Sequence, residues 1–176
     1  HIGILTAAVL LTLALLSALL APAVFAAEVG SGLTWSLSGG TLTISGNGAM
    51  NNFTETNHAP WHDSAESIRV IEIKNGVTSV GNYAFHGSAL TEITIPASVT
   101  AIGSDAFSGC ENILIDLSTA TLSHVGEFAF ANCNLLRGVL LGEGMETLSA
   151  YAFMNCTSLE SVIIPSTVTN IGTQAF

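Results

Sequence analysis

The dipeptide Ala-Phe recurs at Phe85, Phe107, Phe130, Phe153 and Phe176, at spacings of 22, 23, 23 and 23 residues. A fixed period in this range marks a chain built from stacked copies of one supersecondary unit, and it limits the possible folds more than any local propensity does. Each Ala-Phe is preceded at one fixed offset by an aliphatic residue, namely Val80, Ile102, Val125, Leu148 and Ile171. The next position is Gly81, Gly103, Gly126 and Gly172 in four copies and Ser149 in the other. Cys110, Cys133 and Cys156 stand three residues after their Phe, with Ser88 at that place in the first copy.

Between successive Ala-Phe pairs the chain alternates, with Ile71 and Ile73, Ile93 and Ile95, Val139 and Leu141, and Val162 and Ile164 on one side. Period two with β-branched residues predicts a strand with one buried face. Pro96 and Pro165 end their strands, because proline fixes φ and has no N–H for the ladder. A second apolar pair follows, such as Val99 and Ile102, before the turn that carries Ala-Phe. Each copy therefore reads as strand, turn, short strand and helical turn. No copy can bury its apolar face alone, so about five coils of 22–24 residues are expected to stack as a β-rich solenoid over residues 68–176.

The second copy requires a choice of register. A strict 23-residue alignment would turn Asp116 and Ser118 inward, whereas counting from the preceding Phe turns Ile115 and Leu117 inward and Asp116 to water. Burying an unpaired carboxylate costs far more than lengthening a surface loop, so the second register is expected, with the extra residue in Ser118-Thr119-Ala120.

Upstream, residues 33–45 alternate on both sides of Gly39-Gly40 and predict a β-hairpin whose inward set is Leu33, Trp35, Leu37, Leu42 and Ile44. A loop follows, with Met50, Phe53 and Trp61 as its anchors, and residues 27–67 are assigned as a cap on the first coil. From Ile2 to Ala27 the chain is apolar, small or hydroxylic, and Val24-Phe25-Ala26 offers the small residues at −3 and −1 that signal peptidase prefers. Residues 1–26 are assigned as a signal peptide cut after Ala26, although their length would also serve a membrane anchor. The chain starts with His and stops partway through a coil, which is the pattern of a fragment truncated at its C-terminus.

The repeat resembles the BspA-like, or Treponema pallidum type, leucine-rich repeat family. Ile93-Thr-Ile-Pro-Ala-Ser-Val-Thr-Ala-Ile-Gly-Ser-Asp-Ala-Phe-Ser-Gly-Cys110 is similar to that family's consensus at nearly every defining position. The resemblance covers about residues 68–176. Leu33-Thr-Trp, Gly40-Thr-Leu-Thr-Ile-Ser-Gly46 and Ala59-Pro-Trp61 are similar to the amino-terminal region of such proteins from gut Firmicutes. The resemblance implies a secreted or cell-surface protein, often used for adhesion to host or bacterial partners, with no catalytic residues and no cofactor.

Charge narrows the partners. The 176 residues hold 13 acidic and 3 basic side chains, a net charge of −10, and Arg69, Lys74 and Arg137 are too few and too scattered to neutralise a phosphate backbone or an anionic membrane. Nucleic acid is excluded as a partner, and no membrane insertion is expected once the signal peptide is removed. The resemblance implies an extracellular protein or glycan as the partner. Its docking surface is expected on the outward positions of the main strands, where Glu72, Thr94, Asp116, Leu140 and Ile163 would line up from coil to coil, polar at one end and apolar at the other. Two neighbouring exposed aliphatics can also be ordinary surface.

Other chemistries fit less well. The three cysteines repeat with the coil and alternate with Ser, which suits a buried free thiol; neighbouring coils are close enough for a disulfide, and a metal is the least favoured reading. His58, His62 and Asp63 have i, i+4 metal-ligand spacing, but Pro60 opposes the helix it requires. Ser is abundant and His86 and His124 are present, yet no nucleophile-elbow signature accompanies them. Each Gly recurs at a coil turn and none forms a phosphate loop. Asn52-Phe53-Thr54 and Asn155-Cys156-Thr157 match the glycosylation acceptor pattern, which carries no information in a bacterial protein. The function expected is non-catalytic recognition, with a targeting or spacer module of a larger secreted enzyme as the alternative.

Overall fold

The computed structural model describes residues 23–25, 28–111 and 114–176. The proposed signal peptide, residues 1–26, lies outside them except for β1 (Ala23–Phe25), which pairs antiparallel with β2 (Leu33–Ser38). The hairpin turns at Gly39-Gly40, both at positive φ, and β2 pairs antiparallel with β3 (Thr41–Gly46). Leu33, Trp35, Leu42 and Ile44 are buried and Leu37 is half-buried against the core.

The hairpin does more than lie across the first coil. β3 runs parallel to β5 (Val70–Ile73), with Leu42 opposite Ile71 and Ile44 opposite Ile73, and β4 (Gly48–Ala49) runs parallel to β6 (Val77–Val80). The cap is thus an incomplete coil that supplies both strand positions of the repeat. Met50, Phe53 and Trp61 are buried beneath it, and a 3-10 turn over His62–Ser67 leads back to β5.

The main strands of the later coils are β7 (Glu92–Thr94), β9 (Leu114–Asp116), β11 (Gly138–Leu140) and β13 (Ser161–Ile163). Among the described residues their parallel pairing runs in two segments, β3-β5-β7 and β9-β11-β13. The second ladder comprises β4-β6-β8-β10, with β8 at Ala101–Ile102 and β10 at His124–Val125, followed by the pair β12 (Thr147–Leu148) and β14 (Asn170–Ile171). In the irregular coil Ile115 pairs with Val139, Ile115 and Leu117 are fully buried, Asp116 is exposed, and Ser118-Thr119 form the turn. The lengthened loop therefore absorbs the extra residue.

Between the ladders stands a column of rings. Trp61, Phe85, Phe107, Phe130, Phe153 and Phe176 stack in sequence with centroids 5.5, 5.2, 5.2, 5.3 and 5.8 Å apart. Trp61 occupies the Phe place of the incomplete coil and donates its indole N–H to the Ala84 carbonyl at 2.7 Å. Each fully buried Phe contributes about 1.5–3 kcal/mol through area removed from water, and the offset stack adds to that. Ile164, Ile171 and Phe176, which have inward positions in the last coil, are exposed.

The helical turn of each coil is a run of i to i+3 backbone turns: Ala84 to Gly81, His86 to Tyr83 and Ser88 to Phe85 in the first. A left-handed residue interrupts the run at the position before Ala-Phe. Tyr83, Asp105, Phe128, Tyr151 and Gln174 have φ of 53, 54, 57, 60 and 50°. None is glycine, so the conformation is imposed by closure of the coil at a steric cost of roughly 1–2 kcal/mol each. Backbone hydrogen bonds between coils at this turn edge point toward the next coil, as Phe85 N–H to Ala106, Phe107 to Ala129, Phe130 to Ala152 and Phe153 to Ala175. Beside the second ladder they point toward the previous coil, as Gly103 to Val80, Gly126 to Ile102 and Gly172 to Leu148.

The repeated glycine is a matter of close approach. A Cβ at Gly126 would lie 2.4 Å from the Ser104 nitrogen, and one at Gly103 would lie 2.5 Å from the Asn82 nitrogen. Ser149 replaces the glycine where its hydroxyl donates to the Val125 carbonyl.

Candidate recognition surface

Strand pairing sets the outward positions. β5 and β7 place Glu72 beside Thr94, and β3 extends that row with Thr43 opposite Glu72. β9, β11 and β13 place Asp116, Leu140 and Ile163 side by side. The five residues chosen from sequence thus fall into two register-matched groups, a polar pair and a mixed triplet. Thr43 escaped the sequence reading because its strand was taken as cover, although the alternation Thr41-Leu42-Thr43-Ile44 carried the signal.

The acidic residues of the two groups are pinned by local contacts. Glu72 accepts from Lys74 Nζ at 2.6 Å, an exposed pair of small energetic weight. Asp116 accepts from the Ser118 hydroxyl at 2.6 Å and the Ser118 amide at 2.9 Å, and these bonds hold its carboxyl below the usual carboxylate range. Next to it Leu140 is half-buried and Ile163 is 59% exposed, while Leu135 nearby in sequence is 51% exposed. Arg137 and Glu160, which precede β11 and β13, pair at 3.2 Å. The ladder therefore presents a fixed anionic point, an apolar step and a cation–anion pair on a backbone already hydrogen-bonded.

The cysteines hold the turn edge. Cys110, Cys133 and Cys156 are free thiols whose Sγ atoms donate to the carbonyls of Phe85, Phe107 and Phe130 at 3.1, 3.2 and 3.2 Å. Each ties its coil to the ring column of the preceding one. Burial pushes the Cys110 thiol up to about 12. Interaction between the neighbouring thiols raises Cys133 and lowers Cys156, and burial adds to the rise at Cys133. Ser88 is buried at the equivalent place, but its hydroxyl has no partner, because the shorter C–O bond does not reach.

His58 and His62 stack face to face at 3.7 Å, while Asp63 lies in the first turn of the 3-10 segment. Among the described residues no group of three or more His, Cys, Asp or Glu side chains is placed to hold a metal ion. Within the same residues no helix is long and apolar enough to cross a membrane.

Parallel stacked coils, an inward ring column and a side-chain-bearing strand face define a leucine-rich repeat solenoid. Residues 61–176 match the BspA type leucine rich repeat region in six copies, and the chain belongs to that family. A leucine rich cell surface protein from Faecalibacterium prausnitzii A2-165 is similar in fold, with TM-score 0.57 and 21% identity over 89% of this chain and 52% of that one. This chain therefore spans about half the length of that protein. The T. pallidum leucine rich repeat protein (TM-score 0.47, 17% identity, 82% of this chain and 86% of that one) and a leucine-rich repeat protein from Eubacterium ventriosum ATCC 27560 (0.47, 14%, 89% and 94%) are also similar. No curated protein matches the chain.

Proposed function

We propose that the protein is a non-catalytic recognition module that acts at the cell surface or after secretion, and that it adheres to an extracellular protein or glycan through the main strand face. The observation that carries this reading is the register of Asp116, Leu140 and Ile163, which sets an exposed aliphatic beside a carboxylate held ionised. Recognition on such a face needs no rearrangement. The backbone is fixed by the ladder, so binding orders few side chains and retains most of the contact energy. Leu140 and Ile163 would form the desolvated centre, and Asp116, Arg137 and Glu160 the polar rim that sets orientation. Membership of a surface-type repeat family supports the location.

The test is binding to a panel of immobilised extracellular-matrix proteins and mucin glycans. Leu140→Lys combined with Ile163→Lys should abolish the response while the circular dichroism spectrum and melting curve stay unchanged, because both side chains point away from the core. Retained affinity in the folded double variant would sink the assignment of this face.

A further inference from the structure

The cap loop carries a second candidate site, independent of the strand face. Its backbone is rigidly held: Phe53 N–H donates to the Asn82 carbonyl at 3.0 Å, Phe53 packs edge-on against Trp61 with centroids 6.1 Å apart, and Ala59 is buried. Thr54 closes a tight loop by donating its N–H to the Asn57 carbonyl at 2.9 Å, while the Asn57 N–H donates to Thr54 Oγ1 at 2.9 Å. With Phe53, Ala59 and Trp61 inside, residues 54–58 stand outside. A pocket of about 210 Å³ opens there, lined by Thr54, Glu55, His58, His62, Tyr83 and His86.

Four of those six side chains are rings. His58 and His62 lie parallel, 6° apart, and form one wall. Tyr83 and His86, 5.6 Å apart, come from the turn of the first coil. Tyr83 sits in the left-handed conformation, with the Asp105 carboxylate of the following coil near its hydroxyl.

The geometry points to a site for a single uncharged pyranose at the end of a glycan. The volume is below the roughly 300 Å³ at which pockets for drug-sized ligands begin, so it takes one ring. Ring faces suit the apolar C–H face of a sugar, and Glu55, Thr54 and the imidazoles supply acceptors and donors for its hydroxyls. None of the six lining residues is Lys or Arg, while Glu55 and the nearby Asp105 are acidic, so a sugar acid would meet repulsion without a counter-charge. A quaternary ammonium is disfavoured because three of the four rings are imidazoles, and cation–π binding draws on Trp, Tyr and Phe faces. The walls are exposed or half-exposed, as befits the tip of a chain and not an engulfed small molecule.

Titration of the isotope-labelled protein with methyl glycosides of neutral hexoses and N-acetylhexosamines, followed by amide chemical shifts, tests the inference. N-acetylneuraminic acid and choline serve as the charged comparisons. A neutral pyranoside should give saturable shifts confined to residues 54–62 and 83–86. Glu55→Gln should weaken it at least about tenfold, the loss expected for a charge-assisted hydrogen bond. Tyr83→Asn removes the ring with a residue that tolerates left-handed backbone, and should abolish the shifts. Glu55 is exposed, so its variant folds even if that of Tyr83 does not. The Leu140→Lys, Ile163→Lys double variant should bind the sugar normally, which separates this site from the strand face. Saturation by the acid or choline alone, by none of the probes, or equally in Glu55→Gln and the parent would overturn the proposal.

Discussion

Phe107→Ala should destabilise the protein by about 5 kcal/mol. The parent ring is fully buried and stacked on Phe85 and Phe130, each 5.2 Å away. Phe to Ala in a core costs about 3–5 kcal/mol through lost transfer energy and the cavity left behind. Two aromatic contacts of about 0.5–1.5 kcal/mol each push this site to the upper end. Phe176→Ala supplies the internal control, since that ring is 50% exposed and has one stacked neighbour at 5.8 Å; by the same accounting its loss is about 1–2 kcal/mol. Urea unfolding monitored by tryptophan fluorescence measures both, because Trp61 heads the column and Trp35 packs against it at 5.6 Å. In a solenoid each coil depends on its neighbours, so the Phe107 variant should also broaden or split the transition and lower its m-value. Equal losses in the two variants would refute the idea that the ring column carries coil-to-coil cohesion.

Gly126→Ala should cost several kcal/mol (about 3 or more), because its Cβ would meet backbone of the preceding coil, whereas Gly87→Asn, at φ 67° with nothing within 4 Å, should cost under about 1 kcal/mol; thermal melts separate them. Ser88→Cys should stabilise by about 1 kcal/mol in chemical denaturation, by supplying the thiol that reaches a carbonyl where the hydroxyl has no partner. Stability should fall between pH 9 and 12 in pH-dependent urea melts, since the unfolded Cys110 thiol loses its proton from its ordinary value of 9.0 while the folded one keeps it to about 12. The folded state then binds more protons, so a raised value gives stability that is complete below pH 9 and lost as pH rises, by about 4 kcal/mol in all. At pH 8, alkylation of the native protein followed by peptide mass spectrometry should label Cys156 well before Cys110 and Cys133, as it is half-buried and its thiol is lowered.

The coil architecture was legible because its causes are local and repeated. Alternation fixed the inward set down to the shifted register of Ile115 and Leu117, where one buried carboxylate was enough to decide. Met50, Phe53 and Trp61 were legible as large apolar residues in an otherwise polar loop. That Trp61 completes a coil was not, since it lies 24 residues before Phe85 without the Ala-Phe signature, and only the stack reveals its place. The left-handed positions were hidden for another reason. Tyr83, Asp105, Phe128, Tyr151 and Gln174 are three aromatics, a carboxylate and an amide, because closure of the coil and not residue preference sets their φ. Glu72, Thr94, Asp116, Leu140 and Ile163 were assigned outward from alternation alone, but their division into two groups depends on pairing between coils. The ring-lined pocket joins a cap loop to a turn some 20 or more residues away, a juxtaposition no spacing rule encodes.

The opposed hydrogen-bond directions have an electrostatic outcome. In an α-helix all peptide dipoles add, so length concentrates partial charge at the ends. Here the turn edge sends its N–H groups toward the next coil while the row beside the second ladder sends them back, so successive coils cancel along the axis. Duplicating a coil therefore lengthens the molecule without building a field at either end. What a partner senses from a distance is set by side-chain charge alone, and in a chain with 13 acidic groups and 3 basic ones, substitution at single outward positions can retune that field one coil at a time.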